Sequence, residues 1–175
     1  DYCKKALKLD TVPEVNRDGS PRIDKATKQP KVKTKFSKDI WKKMMGYVID
    51  YSAAGADLYL AKDMENAYRL WDIYYALVST PQQVVKHKVD PDSVIGETRY
   101  FQAMAAMQIK KLTEAHALFE QARTLGVNKK GAFDHDIRVL LQLGDTATMV
   151  NVAKQAYALY GQQDVQYMRI MINDC

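Results

Sequence analysis

The sequence predicts an all-α protein built of antiparallel helix pairs. Three observations carry that expectation. Apolar residues recur at steps of three and four over most of the chain after residue 40. The five prolines, Pro13, Pro21, Pro30, Pro81 and Pro91, all fall outside helix interiors or at a helix start. Gly126, Gly144 and Gly161 stand where the periodic runs end, as C-terminal caps do. Eight glycines and five prolines in 175 residues are too few for a turn-dense all-β protein or a disordered chain. Apolar residues make up 47% and charged residues 27%, enough of the former to bury a core.

The elements follow in order. Residues 1–10 read as the end of a preceding helix, with Ala6 on its packed side and Leu9-Asp10 at its exit. Residues 11–36 read as a basic inserted loop, with a turn at Asp18-Gly19-Ser20-Pro21. Inside it Val32, Thr34 and Phe36 alternate with Lys31, Lys33 and Lys35, the spacing of a short extended strap. High charge, few apolar residues and a proline at each turn make residues 17–36 the part expected to be least ordered. From Ser37, read as an N-cap, the period becomes helical through Ile40, Trp41, Met44, Val48, Tyr51, Gly55 and Leu58. A second helix carries Met64, Ala67, Leu70, Trp71, Tyr74, Leu77 and Val78. Thr80-Pro81 with Gln83 reads as a capping box. Asp90-Pro91-Asp92 opens a helix that runs to about Ile109, because it sets a capping carboxylate, a proline and a second carboxylate against the helix dipole. Further helices are expected at about 112–124, 130–143, 146–160 and 164–173.

The pairs repeat. Ala67, Trp71 and Tyr74 stand at steps of four and seven, as do Ala115, Phe119 and Ala122, and Met149, Ala153 and Ala156. Ala115 and Met149 are 34 residues apart, and Ala67 and Ala115 are 48 apart, one period plus 14 inserted residues. On these residues the chain over 37–175 resembles the tetratricopeptide-repeat (TPR) family. The resemblance implies helix–turn–helix units at about 48–81, 96–127 and 130–161 and then a terminal helix, stacked as a right-handed α-solenoid. It pairs Gly55 with Ala67 and Ala103 with Ala115 as the small residues where two helices touch. In the third unit Ile137 and Met149 take those places, so that pair is expected to be wider than the second. The closing proline of the family pattern is missing from all three units. The chain reads as a fragment of a longer array, similar to exported or periplasmic repeat proteins of anaerobic bacteria, a parent that would carry a signal peptide.

Charge is unevenly placed. Residues 1–43 hold 13 Lys/Arg against 6 Asp/Glu, and residues 44–175 hold 13 against 15. The basic stretch 25–43 is read mainly as a solvated surface, with binding of an anionic polymer or membrane surface as the alternative. Nucleic acid is not favoured, because arginine is scarce there. No stretch reaches 18 uninterrupted apolar residues, so no transmembrane segment is predicted, and DYCKKALKLD lacks the pattern of a secretory signal.

The chemistry of an enzyme is not legible. There is no GxSxG, Walker, dinucleotide or HExxH motif. His87, His116 and His135 share no metal-ligand spacing, and Cys3 and Cys175 form no CxxC. Catalytic residues, metal and cofactor are therefore all expected to be none. His135 lies between Asp134 and Asp136, but adjacent residues on a helix point different ways, so it is read as an exposed or groove-lining residue. The resemblance places function on the concave face made by the first helix of each pair. Its groove positions fall on Ser52, Ala56 and Tyr59, then on Tyr100, Met104, Met107 and Gln108, then on Asp134, Arg138, Leu141 and Gln142. It implies a scaffold that binds a protein or peptide partner, apolar and aromatic at one end and of mixed charge at the other. A glycan-binding cell-envelope protein is a further alternative. The partner's identity and the oligomeric state stay open.

Overall fold

A computed structural model describes residues 5, 6, 9–80, 88, 90–161 and 164–172. Cys3, His87, Cys175, Pro81 and Gln83 of the expected capping box, and most of the insertion after it lie outside the described residues. So do Lys4, Leu7 and Lys8, which flank the helical residues Lys5, Ala6 and Leu9. The chain divides into two compact units, residues 1–48 with 79–88, and residues 49–78 with 89–175.

In the first unit, the extended stretch expected around Val32–Thr34 is a strand, and residues 11–36 form a small paired arm. Strand β1 (Thr11–Pro13) pairs antiparallel with β2 (Val32–Thr34), Val12 opposite Lys33. Single bridges join Val15 to Pro21 and Ile23 to Pro30. Where the three legs meet, their backbones close a ring. The Glu14 N–H donates to Lys31 O at 2.8 Å, Lys31 N–H to Arg22 O at 2.6 Å, and Arg22 N–H to Glu14 O at 2.8 Å. Two side-chain turns form the tips. Asp18 accepts from the Ser20 amide at 2.9 Å, and Asp24 accepts from the amides of Ala26 and Thr27 at 2.9 and 3.0 Å. Helix α1 (Ser37–Met45) follows. Ser37 is its first residue rather than its cap, and Phe36 at the cap position contributes no side-chain bond. Asp10 supplies the cap from 27 residues away. Its carboxylate accepts from the amides of Lys35, Phe36 and Ser37 at 3.1, 2.7 and 2.5 Å and from Ser37 Oγ at 2.7 Å. Trp41, expected in the core, is half-buried, and α1 has no fully buried residue.

The long first helix expected from 37 to 60 is interrupted. Residues 46–47 separate α1 from α2 (Val48–Leu60). The remaining helices are α3 (Met64–Val78), α4 (Asp92–Gln108), α5 (Leu112–Thr124), α6 (Lys130–Leu143), α7 (Thr146–Tyr160) and α8 (Gln166–Ile172). The second unit is thus all helical among its described residues, and its helices from α3 onward each pack on the next. The turns are tight and left-handed where they reverse: Lys62, Lys110, Gly126 and Gly144 have φ of 66°, 63°, 89° and 73°. Gly161, expected to behave likewise, stays right-handed at φ −61°. Asp145 caps α7 by accepting from the Thr148 amide at 3.0 Å.

Two apolar clusters fill the stack from α4 onward. Ala103 and Ala106 of α4 meet Ala115, Leu118 and Phe119 of α5 and Val139 of α6. Phe133, Ile137 and Leu140 of α6 meet Val152, Ala153 and Ala156 of α7 and Tyr167 of α8. The α4–α5 pair is the most extensively packed and α6–α7 is less so. Alanines on both sides let α4 and α5 approach, whereas Ile137 and the half-buried Met149 stand between α6 and α7. The sparsest backbone packing in the second unit is that of the α2–α3 pair. Side chains rather than close backbones join it, and Gly55 meets the indole of Trp71 rather than Ala67. Ala67 is instead in a cluster with Trp71 and Ala105 of α4. Two buried polar residues of α4 are tied to α3. Arg99 lies 3.2 Å from the Tyr75 ring centre and donates to Gln102 Oε1 at 2.5 Å, and Gln102 donates to Tyr68 O at 3.2 Å.

Candidate functional site

The helices α2, α4 and α6 carry all the groove positions expected from the sequence, and aromatic rings connect most of the distance between them. Tyr59 on α2 lies 5.8 Å from Trp71 and 5.8 Å from Phe101 between ring centres. Phe101 lies 5.3 Å from Tyr100, Tyr100 lies 6.0 Å from Phe119, and Phe119 stacks on His135 of α6 at 6.2 Å. Edge and tilted contacts of this kind suit rings whose faces are negative and whose edges are positive. Burial raises the Tyr59 and Tyr100 hydroxyls above the ordinary tyrosine range. Lys129 sits over Tyr100 and Phe101 at 5.5 and 5.9 Å and pairs with Glu97 at 2.6 Å.

A cavity of about 360 Å³ opens beside this ladder. Ser52 and Ala56 of α2, Trp71 of α3, and Glu97, Thr98 and Phe101 of α4 line it. The indole is fixed there by its own hydrogen bond, Nε1 to Ser52 O at 3.2 Å, and Phe101 is 39% exposed. A large apolar ring left in solvent beside an apolar cavity is a place for an apolar anchor.

The expected site residues separate into three groups. Tyr59 and Tyr100 belong to the ladder. Met104 and Met107 are half-buried and pack on the alanine-rich core between α4 and α5, while Gln108 and Gln142 are exposed near the ends of their helices. Asp134 and Arg138 line a different, polar cavity of about 300 Å³ with Lys130, Asp164 and Tyr167. Asp134 is already engaged there by the chain itself. It accepts from Lys130 Nζ at 2.8 Å, Tyr167 Oη at 2.6 Å and Gln166 Nε2 at 3.2 Å. Burial, reinforced by that bond to Asp134, pushes the Tyr167 hydroxyl up to about 12. The bonds to Asp134 and Asp164 raise the Lys130 ammonium in the same direction. Arg138 and Leu141 are exposed.

Phe101 escaped the sequence reading because it follows Tyr100 directly, and neighbours on a helix point about 100° apart. A second cluster escaped too. Asp136, fully buried, accepts from His116 Nδ1 at 2.8 Å and pairs with Arg123 Nη2 at 2.8 Å. Arg123 also donates to Ala132 O at 3.3 Å. Burial raises the Asp136 carboxyl, and Arg123 and His116 oppose that rise. The signal was present. His116 and Arg123 are seven residues apart and share a face of α5, while Asp136 lies one residue before the buried Ile137. Among the described residues no group of three or more His, Cys, Asp or Glu is placed to hold a metal ion, and no helix is long and apolar enough to cross a membrane.

Compared with known proteins, the chain matches no family model, and no curated protein matches it.

Proposed function

We propose that this chain is a TPR-like interaction module that binds a peptide or partner helix along α2, α4 and α6, without catalysis of its own. In this reading the helix pairs continue one another as a right-handed solenoid and α2, α4 and α6 form its concave face. One observation carries it: the exposed Phe101 beside the apolar cavity that Trp71 helps to line. A partner with one bulky apolar anchor and a flanking polar stretch fits that cavity and the Glu97–Lys129 pair at its rim. Peptide display against the folded chain tests it. Selected peptides should share an apolar anchor and lose roughly tenfold or more in affinity to Phe101→Ala, a loss ordinary for a truncated central contact. Peptides that bind Phe101→Ala unchanged sink the reading.

A second reading has its own observation. In the 11–36 segment Glu14 and Asp24 are paired with Arg22 and Lys31, and Asp18 is bound by Ser20. Arg17, Lys25, Lys28 and Lys33 have no ion-pair partner among the described residues, so an anionic surface would meet uncompensated cations. Binding to such a surface should weaken steeply with salt. Salt-independent binding would remove this reading.

A further inference from the structure

The buried His116–Asp136–Arg123 cluster does not belong to the groove. Its His116 and Arg123, held from behind by the buried Asp136, line a separate cavity of about 510 Å³ between α5 and α7, together with Glu120, Thr124, Asn128, Thr148, Asn151 and Gln155. A ligand pocket for a small molecule occupies roughly 300–1,000 Å³, so the size is adequate. We propose that this cavity binds a small neutral polyhydroxylated molecule, of the size and chemistry of a monosaccharide or cyclitol.

The donor and acceptor inventory selects the class. Arg123 is the lining arginine, and the buried Asp136 carboxylate balances its charge. Its guanidinium pairs with Asp136 and donates to Ala132 O, and its side chain is 8% exposed. His116 holds Asp136 through Nδ1, which leaves the opposite nitrogen, Nε2, to hydrogen-bond a ligand. The Glu120 carboxylate makes no ion pair or side-chain hydrogen bond among the described residues. Thr124 Oγ1 donates to Glu120 O at 3.0 Å and keeps lone pairs free. Asn128, Asn151 and Gln155 add three carboxamides, each able to accept and to donate. The cavity is therefore rich in acceptors, holds an unbalanced carboxylate and offers mainly carboxamide donors. Carboxylates and phosphates, which only accept, are poorly matched. Hydroxyls, which donate and accept at once, match every lining group. The apolar side chains of Phe133, Val152 and Leu159 give the carbon face of such a molecule a surface.

The ionic cluster has a physical reason in this setting. A buried ion pair is weak evidence for stability, since apolar side chains of similar volume often stabilise as much or more. Holding His116 in one ring orientation at a cavity wall is something that apolar side chains cannot do.

Nuclear magnetic resonance of the ¹⁵N-labelled chain tests the proposal, with D-glucose, N-acetylglucosamine, myo-inositol and glucuronate as probes. At least one neutral probe should give saturable shifts of the Asn151 and Gln155 side-chain amides and of the His116 ring, with a Kd of roughly millimolar order. Glucuronate should bind more weakly than glucose. The exposed pair Asn151→Leu with Gln155→Leu should keep the helical spectrum and lose about tenfold in affinity, the equivalent of one hydrogen bond. If no neutral probe shifts these signals saturably, if glucuronate binds best, or if the folded double variant binds unchanged, the proposal is wrong.

Discussion

Trp71 occupies the space that a side chain on Gly55 would need. A Cβ on Gly55 would stand 2.6 Å from Trp71 Nε1 and 2.8 and 2.9 Å from two further indole atoms. The glycine therefore lets the indole sit close against α2, reach Ser52 O and line the apolar cavity. Gly55→Ala gains helix propensity but must push the ring aside. The net expected effect is a loss of about 1–3 kcal/mol in urea unfolding, as for an overpacked core, with the tryptophan emission shifted. An alanine variant as stable as the parent would show that the ring yields without cost.

Asp10 caps α1 across 27 residues, so it should govern the first unit and leave the helices of the second alone. Its hydrogen bonds to Ser37, Phe36 and Lys35 hold its carboxyl below the usual carboxylate range. The folded state thus favours the ionised form, and this contribution is present above the ordinary carboxylate pKa and lost on acidification through the lowered value. Asp10→Ala should speed proteolysis within residues 11–36 while leaving hydrogen exchange in α4–α7 unchanged. Unaltered cleavage in the arm would mean that its backbone ring suffices without the cap.

Lys110 holds a left-handed backbone that costs an L side chain roughly 1–2 kcal/mol, offset in part by the extra freedom that glycine loses on folding. Lys110→Gly is expected to stabilise by about 0.5–1 kcal/mol, and Gly144→Ala, at φ 73°, to destabilise by about 1 kcal/mol. Thermal melts of the two variants moving in the same direction would contradict this.

His135 stacks on Phe119 and its Nδ1 is buried without a hydrogen-bond partner. Burial lowers its pKa from the ordinary 6.5, Arg138 lowers it further, and Asp134 opposes them. Below that ordinary value the unfolded chain binds the proton more readily than the folded one, so acid destabilises the fold through this residue. His135→Gln should therefore flatten the fall in stability between neutral pH and pH 5. An unchanged slope would place the pH dependence elsewhere.

The helices were legible in the sequence wherever one side of the pattern was apolar and the end was marked. The residues expected to form helices at 112–124, 130–143 and 146–160 do so. The break at 46–47 was not legible, because Met44, Val48 and Tyr51 keep the helical step across it. In the arm the strand at Val32–Thr34 and the turn at residues 18–20 were legible, but the pairing of its legs was not, because each leg is short and the pairing rests on backbone bonds. Of the candidate site, Tyr59 and Tyr100 were legible as ring positions on successive first helices. Phe101 and Asp136 were not, since one is set by its exposure beside Trp71 and the other by partners on a different helix.

In the second unit, each helix from α3 onward leans chiefly on its neighbour in the chain, with a lesser contact between α4 and α6. From α4 onward the connections are short and few distant pairings are needed before the row gains stability, which favours rapid folding. It also gives loss of structure a direction. Tyr167 of α8 is the buried plug at one end of the α6–α7 core, so opening that end exposes α7 first and reaches α4 only later. Disorder would spread along the row like a zip, and each helix pair would open at its own threshold rather than with the whole.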